Sequence, residues 1–242
     1  VELPGVGPCR EPRRAQLRAW CARVGRVPVY LLDADFAVNR PDVRALSKRL
    51  YGGSRENRVA QEVLLGIGGV RLLRRLGLDP SAWHLNEGHV CFSALERIRE
   101  FVLSSGKQTL DFSAAVEAVA ANTVFTTHTP VPEGNEIFDL HLARRYLAPY
   151  CPAPKISVDD FLNLGLDTSG AGDPFLSMTV LAMRLSRFRN GVSALHGVVS
   201  RGMWSHLWPY FDEDEAPITS VTNGIHVPTW ISEETSQLFV KY

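Results

Sequence analysis

Long hydrophobic runs are missing from this 242-residue chain: nowhere are there about 18 consecutive apolar residues, the length a membrane-spanning helix needs. The opening VELPGVGPCREPRR lacks the apolar core of a secretory leader, so neither insertion nor export is indicated. Cysteine is scarce. Cys9, Cys21, Cys91 and Cys151 form no CxxC pair and no zinc or disulfide-scaffold spacing, which fits reduced thiols in a cytoplasmic protein. Charge of one sign is absent too: 26 basic residues balance 26 acidic ones, leaving no general pull toward nucleic acid or an anionic membrane. Lysine is limited to Lys48, Lys107, Lys155 and Lys241, an arginine skew that codon usage explains better than a phosphate grip. There is no GxSxG elbow, HExxH pair, GxGxxG turn or P-loop, which removes the local support for the corresponding hydrolases, metal sites and nucleotide cradles.

What remains is ordinary globular material, 45% apolar and 21% charged, which excludes disorder and collagen-like repeats. A chain of this size buries roughly three-quarters of its unfolded surface, enough for one large domain or two small ones. It starts without methionine and stops at QLFVKY just after the helix-like EETSQLF, the pattern of a piece cut from a longer protein.

Short apolar runs alternate with helical periods, as expected of parallel strands joined by crossover helices. The expected strands are Pro28 to Ala34, Ala82 to Leu85, Asn122 to Thr127 and Ile218 to Thr222, rich in β-branched, aromatic and leucine residues. Arg55 to Leu76 carries an apolar stripe of Val59, Val63, Ile67, Val70, Leu73 and Leu76. Gly66, Gly68 and Gly69 in its middle imply a close approach to the backbone, through helix packing or a ligand, or a break in the helix. Further helices are expected at Val90 to Leu103, at Ser113 to Ala121 with Asp111 or Ser113 as cap, and at Ile137 to Leu147. Phe161 to Leu164 reads as a short turn, DTSGAGDP (Asp167 to Pro174) as a loop, and Phe175 to Trp208 as largely helical with Gly191 and Gly202 interrupting.

Polar residues end or follow each expected strand: Asp33 and Asp35 the first, Asn86, Glu87 and His89 the second, Thr127 and His128 the third, Asn223 and His226 the fourth. In an open parallel sheet ligands bind beyond the carboxyl ends of the strands. Groups that both donate and accept suit a polyhydroxylated ligand, and a sugar is the natural choice. A lone His or Asn at such a place more often caps a helix; the coincidence at several exits carries the functional reading. His84, inside an apolar run, reads as a satisfied core histidine, and HLNEGH has no metal-site spacing.

Five stretches then resemble, in order, the alpha-glucan phosphorylases, particularly their shorter bacterial branch: Tyr51 to Leu73 (YGGSRENRVAQEVLLGIGGVRLL), Trp83 to Glu96 (WHLNEGHVCFSALE), Phe125 to Phe138 (FTTHTPVPEGNEIF), Met178 to Trp204 and Val221 to Trp230 (VTNGIHVPTW). The resemblance implies an α/β fold, a Rossmann-like parallel sheet with flanking helices, here residues 1–242 as a partial amino-terminal domain of a GT-B glycosyltransferase. It assigns His128 a catalytic place against the transferred glucosyl unit, through its ring and backbone carbonyl. Asn223 is similar to an asparagine on the same sugar's hydroxymethyl, Asn86, Glu87 and His89 to a polar turn near the anomeric side, and Glu133 and Glu136 to acidic positions beyond. Glu87 departs from the aspartate of the animal enzymes, and Ser54 from the aspartate many bacterial relatives carry after YGG.

The implied reaction is phosphorolysis with retention: inorganic phosphate takes the terminal glucose of an alpha-1,4-glucan as glucose 1-phosphate. The implied cofactor is pyridoxal phosphate, attached to a lysine outside this chain, and its phosphate group is thought to assist proton transfer. An oligomer is compatible with this; nucleic acid and membrane partners are not implied. The fragment alone is expected to be inactive. Competing expectations are a nucleotide-sugar-dependent glucan synthase on the same frame and a non-catalytic carbohydrate-binding module.

Overall fold

The computed structural model describes residues 1–5, 12–49, 53–104, 109–167 and 173–242. Parts of the YGG stretch and of the DTSGAGDP loop lie outside these residues, as do Cys9 and Lys107.

Gly25 and Arg26 are all that separates strand β1 (Arg18–Val24) from β2 (Val27–Asp33), and Val24 pairs with Val27. A two-residue connection can join only antiparallel strands, and Gly25 supplies the positive φ of 60° that such a turn requires. The expected first strand therefore belongs to a two-stranded hairpin and not to the parallel sheet, a correction that the unrecognised turn explains. Trp20 faces Leu31 and Val24 faces Val27 on one exposed side of this ribbon.

Helix α1 (Arg55–Arg75) follows, opened by the Ser54 hydroxyl, which accepts the Asn57 N–H at 3.3 Å. It is unbroken. Val59, Val63, Ile67 and Val70 are buried as the stripe requires. A Cβ on Gly66 would stand 2.7 Å from the Ser93 nitrogen, so that glycine lets two helices approach closely; the packing reading holds there.

The central layer is a four-stranded parallel sheet made of β3 (Trp83–Asn86), β4 (Thr123–Thr127), β8 (Phe188–Gly191) and β9 (Thr219–Ser220), side by side in chain order. Between β3 and β4 run α2 (Phe92–Leu103) and α3 (Phe112–Ala121), the latter capped by Asp111. Beyond β4 the chain forms a smaller antiparallel sheet of β5 (Ile137–Asp139), β6 (Leu166–Asp167) and β7 (Phe175–Ser177). Helices α4 (Leu140–Leu147) and α5 (Val158–Leu164) lie between β5 and β6, and α6 (Met178–Arg184) leaves β7. Helix α7 (Ala194–Trp204) links β8 to β9, and α8 (Glu233–Lys241) ends the chain. Leu85 and Phe125 of the sheet pack with Ile67, Phe92, Leu95, Ile98, Met178 and Leu181 in one core.

Two expectations fail here for local reasons. The helix expected from Ile137 starts only at Leu140, because Asp139 accepts the Leu142 N–H as its cap and the preceding residues pair with β7. The stretch expected to be helical from Phe175 to Trp208 contains β7 and β8. Strand β8 reads FRNG, with no apolar run, because Arg189 supplies its bulk by stacking 5.3 Å from the Trp208 ring. Among the described residues no helix is long and apolar enough to cross a membrane.

Candidate active site

Strands β3 and β4 run parallel with Asn86 beside Thr126, so the next residues of each, Glu87 and His128, emerge together at the carboxyl edge. Glu87 has φ 64° and ψ 177°, the one non-glycine with positive φ among the described residues. That region is essentially glycine-only, and holding a carboxylate residue there costs on the order of 1–3 kcal/mol. The geometry gives a return: Glu87 Oε1 accepts the His128 backbone N–H and, at 3.3 Å, the Thr129 hydroxyl, and lies 3.4 Å from His128 Nδ1. One carboxylate thus fixes the neighbouring strand exit.

Both residues face a cavity of about 350 Å³ lined also by Gly88, His89, Thr129, Gly134, Asn135, Glu136 and Thr179. The loop after His128 is tied in place. Asn135 accepts the Thr179 hydroxyl at 2.7 Å, and Glu136 O accepts the Met178 N–H at 3.0 Å. On the wall, Arg58 of α1 grips Glu136 Oε2 through Nε at 3.0 Å and Nη2 at 2.9 Å, and donates to Glu62 Oε1 at 3.2 Å. Glu62 Oε1 is 3.5 Å from His89 Nδ1. Burial pushes the Glu62 carboxyl up to about 7, outweighing the imidazole and guanidinium that favour its charge. The Glu62 contact in turn raises His89 above the usual histidine range.

Four of the sequence-expected residues, Glu87, His89, His128 and Glu136, thus meet on one cavity. Glu133 lines an adjoining cavity of about 380 Å³ that shares Asn135 and includes Arg55, Asp167, Trp204 and His206. Asn86 is exposed on the edge strand β3, and Asn223 is exposed beyond β9, its N–H donating to Val192 O at 3.1 Å. Asn223 lies at the same carboxyl edge as His128, with β8 between their strands, and neither it nor Asn86 lines the cavity. Asp33 and Asp35 are elsewhere, on the hairpin. His84 is satisfied by Thr126 Oγ1 at 2.7 Å, but it is exposed rather than core, because β3 is a sheet edge. Sequence reasoning missed Arg58, Glu62, Asn135 and Thr179. One signal existed for Glu62: a carboxylate next to Val63 on the apolar stripe of a helix calls for a buried partner.

Glu62, His89 and Glu136 bring ligand-type atoms within 4.8 Å of one another, yet the Arg58 guanidinium already pairs both carboxylates, so the arrangement is a protein-internal ion network. For pyridoxal phosphate the described lysines do not fit. Lys48 pairs with Asp35, Lys155 donates to Val102 O, Lys241 lies 5.3 Å from the Tyr242 ring, and none lines the cavity.

No family model matches the chain. Glycogen phosphorylase of Mycobacterium tuberculosis is 45% identical over 91% of it, and maltodextrin phosphorylase of Thermococcus litoralis 43% over 96%. The chain is a homologue of the glycogen and maltodextrin phosphorylases. A third, the glycogen phosphorylase of Aquifex aeolicus, is 35% identical over 92% of the chain. The chain spans 26%, 27% and 31% of the lengths of these three phosphorylases.

Proposed function

We propose that the full-length protein containing this chain is a cytoplasmic alpha-1,4-glucan phosphorylase, and that the chain is part of its amino-terminal GT-B domain, where the transferred glucose is held. The observation that carries this reading is the meeting of His128, Glu87, His89 and Glu136 on one cavity beyond adjacent parallel strands. His128 contacts the glucosyl unit through its ring and carbonyl, Asn223 supports the sugar from the next exit but one, and Glu133 and Asn86 lie on the approach. Glu87 keeps the His128 backbone from shifting as charge develops. An oxocarbenium-like sugar gains from carboxylates and carbonyls already oriented toward it, since they need not reorganise during the reaction. Glucan, inorganic phosphate and glucose 1-phosphate are the substrates in this reading, and pyridoxal phosphate is bound by parts of the protein other than the described lysines.

The test is an assay of the full-length protein for phosphate-dependent release of glucose 1-phosphate, beside nucleotide-sugar-dependent transfer. His128→Ala is expected to lower kcat/KM roughly 100-fold, the value of about 2–4 kcal/mol of lost transition-state contact. Nucleotide-sugar-dependent transfer without phosphorolysis, or normal phosphorolysis by His128→Ala, refutes the reading.

A further inference from the structure

His89 is shared by two cavities: the one that holds His128, and an apolar cleft of about 380 Å³ lined by Leu17, Leu32 and Tyr30 of the hairpin region and by Leu64 and Leu65 of α1. Its Nδ1 has two neighbours with opposite demands. Arg58 Nη2, 3.4 Å away, can only donate and wants a lone pair there; Glu62 Oε1, 3.5 Å away, accepts and wants a proton. Glu62 is 2% exposed, and its Oε2 is buried without a hydrogen-bond partner. A carboxylate is expensive to keep in such a place, and here its near polar contacts are the guanidinium and this one imidazole.

We propose that Glu62 is a positioning residue of the site, acting through His89: it fixes the proton on Nδ1 and thereby sets the charge of the cavity wall that His89 forms. The inference rests on the phosphorylase reading for its activity readout. The other charged groups that face the pair are Arg58 of α1, Glu136 from the loop before β5 and Glu87 from the β3 exit; the Cys91 thiol beside Glu62 stays neutral. Arg58 opposes a proton on His89, while Glu62 and Glu87 favour it. Glu136 opposes charge on Glu62.

The experiment is the pH dependence of kcat/KM for phosphorolysis in the full-length protein and its variants. Glu62→Gln keeps the shape and removes the charge, so the limb that reports His89 moves to lower pH. Glu62→Asp, which keeps the charge, stays nearer the parent profile. His89→Asn abolishes that limb, and Glu62→Gln then shifts nothing further. An unmoved profile in Glu62→Gln, or a limb that survives in His89→Asn, overturns the proposal; the second measurement decides even where Glu62→Gln does not fold. Absence of phosphorolysis in the parent counts against the phosphorylase reading alone. The His89 imidazole resonances, followed by NMR against pH, then carry the comparison, and an unchanged His89 titration in Glu62→Gln overturns the proposal.

Discussion

The end of the β2 hairpin strand and the exits of β3 and β4 look alike in sequence, each an apolar run followed closely by acidic and hydrogen-bonding residues. In space they differ in what the acids face. Asp33 accepts from Arg18, Trp20 and the Asp35 N–H, and Asp35 pairs with Arg44 and Lys48, so both are consumed by their own neighbourhood. Glu87 instead reaches across to the next strand from a strained backbone, and the groups it organises line a cavity. A polar residue after a strand marks a site only where a second parallel strand ends beside it; a hairpin strand leaves by a turn and builds no such crevice.

The sharpest way to break this comparison is to remove what holds the cavity wall. Arg58→Met leaves Glu62 and Glu136 without their guanidinium. Breaking a buried pair by deleting one partner typically costs about 3–5 kcal/mol, so a large fall in stability is expected, read as a lower urea midpoint. A variant as stable as the parent would mean that the wall is not organised by this network. Smaller is the effect at Glu87. Glu87→Ala leaves the His128 N–H without its charged acceptor, a loss of about 1.5–3 kcal/mol that appears as a roughly 10- to 100-fold lower kcat/KM. Glu87→Gly loses the same contact but relieves the positive φ, so it should be the more stable of the two by about 1 kcal/mol, the reverse of the usual order of these residues. Equal stabilities would remove strain from the description of this exit.

What was legible in the sequence was whatever repeats along the chain. The stripe of α1 and the β-branched run of β4 were visible because burial imposes a period. Glu87, His89 and His128 were visible as polar residues beyond strands, and Glu136 through the motif resemblance alone. Strand β8 was not, because an arginine stem does the packing that an apolar residue usually does. Nor was Arg58 legible as a site residue, and Glu62 was legible only as a carboxylate on an apolar stripe; the fold alone brings Glu136 and His89 against them. The φ of Glu87 leaves no trace in composition at all.

The smallest expected effect belongs to the hairpin, and its smallness is the point. Hydrogen bonds from the Asp35 N–H and the Trp20 indole, with the Arg18 guanidinium, hold the Asp33 carboxyl down to about 2. A carboxyl depressed below its unfolded value contributes stability that is present above the ordinary carboxylate range and is lost as the pH falls through about 2. Asp33→Asn should therefore melt slightly below the parent at neutral pH and converge with it toward the acid end, the gap staying modest because the group is solvent-screened. Phosphorolysis by the full-length variant should stay within about twofold of the parent, since Asp33 does not line the cavity. A tenfold fall in kcat/KM would put the hairpin acids in the reaction after all, and the distinction between an acid that faces a cavity and one spent on its neighbours would fail.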